Sequence, residues 1–217
     1  MRKILPVAAF ALLFPLAASA QLRLGASIGY ASPMGEIAAG GDMKDLITGA
    51  VPMEVTGQFD VGPNASVGAY LGYAPGFLHK DWKDLCDAAD EICRIYAWGV
   101  GAVGEVRLGD AGGIRPFVGA RAGFGWLTFR EAVGEGTNQL WAKAGFKGWE
   151  VGLQGGADVS VSEGASIGAF VGFTYGEYGT AYFKYSDSTS GTNRSFEIPD
   201  TAAHQWLTIG VRGTFGR

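Results

Sequence analysis

The residues that most often carry chemistry are scarce in this sequence. Its 217 residues include two cysteines and two histidines. Neither pair makes a metal site, because a zinc centre needs three or four converging donors and Cys86 and Cys93 have only His79 near them in the chain. No metal or cofactor is expected. Nucleophilic catalysis needs a base beside a hydroxyl or thiol. His79 is followed by Lys80 and Asp81, with no serine beside it, and His204 precedes Gln205 and Trp206, with Asp200 and Thr201 close by. Both read as solvated loop histidines, and no enzymatic activity is expected. Positive charge is also short, with 17 Lys and Arg against 21 Asp and Glu. A nucleic-acid partner announces itself by a basic excess, so that class is excluded.

Long apolar runs are missing too, with one exception at the start of the chain. Arg2 and Lys3 precede an apolar run, Ile4 to Leu16, followed by Ala18-Ser19-Ala20. This is the order of a secretory signal peptide, and it predicts cleavage after Ala20 and a mature domain over 21–217. The run is shorter than the ~20 residues of a spanning helix. Elsewhere no stretch of eighteen apolar residues occurs, which excludes a helical membrane protein. No cysteine follows the cleavage site, so a lipid-modified N-terminus is not indicated. Export to an oxidising compartment predicts a disulfide between Cys86 and Cys93.

Glycine is abundant, at 36 residues, and apolar residues alternate with small or polar ones in eight separate runs. Alternation with period two is the signature of a strand with two unlike faces. One run sets Tyr96, Trp98, Val100, Ala102, Val106 and Leu108 against Gly99, Gly101, Glu105 and Arg107. Another sets Val118, Ala120, Ala122, Phe124 and Trp126 against Arg115, Gly119, Arg121, Gly123 and Gly125. Short glycine-rich connections (62–64, 109–113 and 162–164) alternate with long ones (33–49, 76–92, 131–145 and 182–202). That rhythm is expected of a membrane barrel with short periplasmic turns and long outer loops. The predicted fold is all-β: a closed antiparallel eight-stranded transmembrane β-barrel with four long extracellular loops and three short periplasmic turns. A soluble barrel with its charged face outward is disfavoured, because each run has the ~9–11 residues needed to cross the hydrocarbon layer. Tyr30, Tyr73, Tyr96, Trp98, Trp126, Trp149 and Tyr175 fall near the long-loop ends of their runs, as an interfacial girdle does.

With these runs in place the chain resembles the small outer-membrane barrel families, among them the OmpA transmembrane domain, OmpX and OmpW. The likeness covers 21–217 and includes the last run, Gln205 to Phe215, which is similar to the closing strand read by the barrel-assembly machinery. It departs from that pattern in that Gly216 and Arg217 follow the aromatic. The resemblance implies a place in the bacterial outer membrane, with membrane lipids and the assembly machinery as partners and an unknown surface partner outside. Enzymatic barrels share the architecture, but neither histidine matches the His-x-Ser arrangement of the deacylases.

All strongly charged strand positions fall on the face opposite the apolar one. Glu54, Asp60, Glu105, Glu150 and Asp158 are predicted inside, together with Arg23, Arg107, Arg115, Arg121 and Arg212. An eight-stranded barrel is just wide enough for its side chains to fill it, and buried charge must be paired. Two readings stay open. A balanced ion-pair network would plug the barrel and leave a structural or surface-interaction role to the loops. Alternatively, the many inward glycines would leave a narrow, ion-lined conduit for ions or small, even hydrophobic, solutes, gated around Arg121. Among the loops, 80–94 is expected to be stapled by its disulfide. The 182–199 segment offers Tyr182, Phe183, Tyr185 and Phe196 for adaptable contacts.

Overall fold

A computed structural model of the protein describes residues 21–38, 41–89, 91–133, 140–186 and 191–216. The expected signal peptide, 1–20, lies outside the described residues. The chain runs β1 (Leu22–Ala38), β2 (Gly41–Asp42), a 3-10 turn (Met43–Asp45), β3 (Ile47–Ala50), β4 (Met53–Asp60), β5 (Ala65–Leu78), α1 (Lys80–Ala88), β6 (Ile92–Arg107), β7 (Ile114–Val133), β8 (Leu140–Ser162), β9 (Ala165–Ser186) and β10 (Gly191–Phe215).

Neighbouring strands pair antiparallel, and the sheet closes where β1 meets β10, from Leu24 opposite Phe215 to Gly35 opposite His204. The ring has eight staves, because β3 and β4 lie end to end between β1 and β5. Pro52 separates the two pieces. It has no N–H to give to the ladder, but its carbonyl accepts from Gly29 at 3.0 Å, and Val51 donates to the Pro75 carbonyl at 2.9 Å.

Polarity is inverted relative to a soluble barrel. Outward-facing Leu153 and Ile209 are 68% and 67% exposed, whereas Glu105, Asp158 and Arg212 are buried. Water would penalise such an apolar exterior, and lipid favours it. A closed sheet leaves no unpaired backbone edge inside the hydrocarbon. Tyr73 and Trp98 pack with ring centroids 4.6 Å apart, and Trp149 and Tyr175 at 5.7 Å, as parts of the outer aromatic girdle.

Two of the expected long loops are largely strand. β7 and β8 run to Val133 and from Leu140, and β9 and β10 run to Ser186 and from Gly191. Beyond the girdle neither face of a strand must be apolar, so the periodicity that marks a strand in lipid fades. The ladder still continues, because each added pair orders residues that are already aligned. In the 76–92 segment the chain forms α1. His79 caps its N-terminus, and Asp81 sits in the first turn, where a negative charge favours the helix. Cys86 and Cys93 are joined in a disulfide, which ties α1 to the outer end of β6.

Candidate functional site

The lumen is filled in three tiers. In the tier toward the periplasmic end, the Arg212 guanidinium stands between two buried carboxylates. Its Nη1 and Nη2 donate to Glu105 at 2.5 and 3.1 Å, and its Nε and Nη2 donate to Asp158 at 2.9 and 2.6 Å. Its Cζ lies 3.2 Å from the centroid of the buried Phe117 ring. The network continues toward the periplasmic mouth through Arg23, 3.8 Å from Glu105 and 2.5 Å from Asp60, and through Arg107, 3.1 Å from Asp60. Arg115 stands apart at the rim, 3.4 Å from Asp110 and bonded to Ser160.

The middle tier is built on Arg121. Its Nη1 donates to Glu54 at 2.7 Å and its Nη2 to Thr174 at 3.1 Å, with Glu150 at 3.7 Å. Tyr70, from the opposite side of the ring, donates to Glu150 at 2.7 Å and lies under the guanidinium, 5.1 Å from Cζ to ring centroid. Inward glycines make room for these groups. A Cβ at Gly123 would stand 2.5 Å from the Tyr70 oxygen, and one at Gly125 2.8 Å from Glu150 Oε2. The glycine content that kept a conduit open in the sequence is thus occupied by rings and carboxylates. Among the described residues, Phe117 and Phe170 also turn inward, against Gly156 and Gly210.

The upper tier is apolar. Met43, Ile47, Ile95, Leu127 and Tyr178 form a buried cluster, packed against Leu46, Phe129, Phe146 and Trp206. Met43 comes from the 3-10 turn and Ile47 from the start of β3, and both fold into the mouth. His204 is not a solvated loop histidine. It is 2% exposed and stacks on Tyr178 with centroids 3.9 Å apart. His79 keeps its place at the surface, as the cap of α1. Trp82 of α1 meets Phe129 edge-on at 6.2 Å.

Enclosed space between the tiers is small: about 30 and 50 Å³ around Gln154 and Phe170, and about 100 Å³ around Tyr70 and Trp206. At roughly 10–15 Å³ of such space per water, the first two hold about two to five waters each and the third up to about ten. A larger recess of about 460 Å³, lined by Arg23, Asp60, Arg107 and Arg115, opens at the periplasmic end.

Above the girdle, Glu91, Cys93 and Glu131 approach one another. The Cys93 sulfur is spent in the disulfide, which leaves two carboxylates and no thiolate for a metal. Burial and the neighbouring Glu91 raise the Glu131 carboxyl above the ordinary range. Tyr182, expected as an adaptable loop aromatic, is fixed by a 2.5 Å hydrogen bond with Thr128. Phe183 is exposed. The side chains of Tyr185 and Phe196 lie outside the described residues.

A closed ring of antiparallel staves, apolar outside and ionic within, is a transmembrane β-barrel. Its fold is that of the small bacterial outer-membrane barrels. The chain is similar to a major outer membrane protein from Thermus thermophilus, with 12% identity, a TM-score of 0.63, and coverage of 92% of this chain and 100% of that one. It is also similar to Neisserial surface protein A, with 13% identity, a TM-score of 0.50, and coverage of 88% and 95%. No family model matches the chain, and no curated protein matches it in sequence.

Proposed function

We propose that the protein is a sealed outer-membrane barrel with a structural or surface-interaction role, exported with cleavage after Ala20 and exposing its long outer hairpins and α1 to the cell's surroundings. The observation that carries this reading is the stack of two unlike seals in one lumen. An ionic plug around Arg121 and Arg212 lies within the membrane, and an apolar plug around Met43, Ile47 and Leu127 lies outside it. A hydrated ion would have to break buried charge pairs at the first and shed its water at the second. The reading includes no catalytic step. The work falls to the rigid outer surface, as it often does where loops are held by a stable scaffold.

The competing reading is a narrow pore for ions or small solutes, for which the periplasmic recess would be one vestibule. Single-channel recording on the refolded full chain in a planar bilayer separates the two, with a heat-shifted gel band reporting that the barrel has formed. Silence from folded protein is the expected result. Reproducible openings that change when Arg121 is replaced by Ala would overturn the sealed barrel and make the lumen the working site.

A further inference from the structure

The outward face of β6–β9 above the girdle carries three cross-strand rows. The lowest is Trp98, Trp126, Lys147 and Thr180; the next is Tyr96, Thr128, Gly145 and Tyr182; the highest is Arg94, Arg130, Lys143 and Lys184. Direct cross-strand partners share a face, so the highest row is a ladder of four cations on neighbouring strands, about 4.8 Å apart from one strand to the next. Like charges opposite one another destabilise a sheet. Arg94, Arg130 and Lys184 make no ion pair with any described residue. The Nε of Arg130 is buried without a hydrogen-bond partner. An acidic chain has thus placed Arg94, Arg130 and Lys184 in one row where like charges repel, with no ion pair to a described carboxylate.

The row below is built rather than incidental. Tyr182 lies flat over strand β8, where a Cβ at Gly145 would stand 2.6 Å from its ring, and reaches Thr128 at 2.5 Å. The result is an aromatic and hydroxyl shelf between the tryptophan row and the cations. The cation row lies four residues beyond Trp98 and Trp126, which is roughly 10 Å above the girdle for a tilted strand. That is the depth of lipid head groups, since the girdle itself marks the interface.

We propose that this face holds the phosphorylated sugar head of an outer-leaflet glycolipid. Its phosphate sits on Arg94, Arg130 and Lys184, a sugar ring on the Tyr96–Thr128–Tyr182 shelf, and acyl chains against Trp98 and Trp126. The proposal concerns the outer wall and does not depend on whether the lumen is sealed.

The test uses the refolded full chain in phosphatidylcholine nanodiscs, titrated with a bis-phosphorylated diglucosamine lipid and read by native mass spectrometry. Wild type is expected to retain the lipid. The Arg94→Gln/Arg130→Gln/Lys184→Gln variant should retain it about tenfold less well or worse, since each cation near a membrane surface contributes appreciably to holding anionic lipid. The same lipid stripped of its phosphates should bind wild type about tenfold less well than the intact lipid, and this comparison decides the matter even if the variant does not fold. Equal retention by the variant, or equal binding of the phosphate-free lipid, overturns the proposal. So does a soluble phosphorylated diglucosamine without acyl chains that binds as tightly as the lipid, because the ligand would then not be a membrane component.

Discussion

Tyr70 and Glu150, 80 residues apart in the chain, meet across the lumen in a 2.7 Å hydrogen bond. The contact braces opposite walls of the barrel, because Glu150 also faces Arg121 at 3.7 Å. Tyr70→Phe removes the donor and leaves the carboxylate with one partner fewer. A hydrogen bond to a charged group contributes about 1.5–3 kcal/mol, and a loss of that order is expected in urea unfolding of the refolded barrel. An unchanged midpoint would mean that the contact carries no load.

Arg212→Ala is expected to cost more. It strands buried Asp158 without a counter-charge and leaves buried Glu105 only Arg23, 3.8 Å away. Breaking a buried pair by removing one partner costs about 3–5 kcal/mol. Unfolding by urea should show this loss, and replacing Glu105 and Asp158 by Gln and Asn in the same variant should recover part of it. A triple variant no more stable than Arg212→Ala would count against uncompensated charge as the cause.

Gly123→Ala places a methyl group against the Tyr70 oxygen and the neighbouring strand. Overpacking of this kind costs about 1–3 kcal/mol. The expected signs are a lower unfolding midpoint and a weaker folded band on unheated gels, whereas alanine at Gly57, which faces open space, should be neutral in the same assay.

The upper plug can be loosened without touching the charges. Met43→Ala and Ile47→Ala, both at fully buried positions, should each cost about 2–5 kcal/mol at that site. Planar bilayers should stay silent for the double variant, because the Arg212 tier still closes the barrel. Openings in this variant alone would show that the apolar tier is the decisive seal.

Reduction of Cys86–Cys93 should act locally. Closing so short a loop is worth about 2 kcal/mol in the chain-entropy picture, and the bond ties only α1 to β6. Backbone amides of 80–88 are expected to lose hydrogen-exchange protection, with the barrel strands unchanged. Protection lost across β6 and β7 would show a wider role.

The strands, their closure and the inward charges were legible in the sequence because lipid enforces period-two alternation over each crossing. Arg121, Glu54, Glu150, Arg212 and Glu105 could be placed from parity alone. Parity also held the signal for what went unread. Leu127 and Phe129 continue the odd-numbered inward series of Arg121, Gly123 and Gly125, but there the inward face turns from polar to apolar and no longer contrasts with the outer one. Phe117 was hidden the same way, as a large ring on a face otherwise given to charge and glycine. The reach of β8, β9 and β10 beyond the girdle was not legible, since water on both sides removes the pressure that writes alternation into a strand. The segment 80–88 did carry a helical spacing in Trp82, Leu85 and Cys86, masked by its length and its charge.

The seam between β1 and β10 joins the first described strand to the last, pairing Leu24 with Phe215. Every other seam joins staves that follow one another in the chain, but the second edge of β1 must wait until β10 has been made and delivered. In the interval both carry a bare row of amide and carbonyl groups that hydrocarbon does not tolerate. Such a chain has no useful half-built form in the bilayer. Its lipid-facing form exists only once that last seam is made, so two strands from opposite ends of the described chain decide together whether there is a barrel at all.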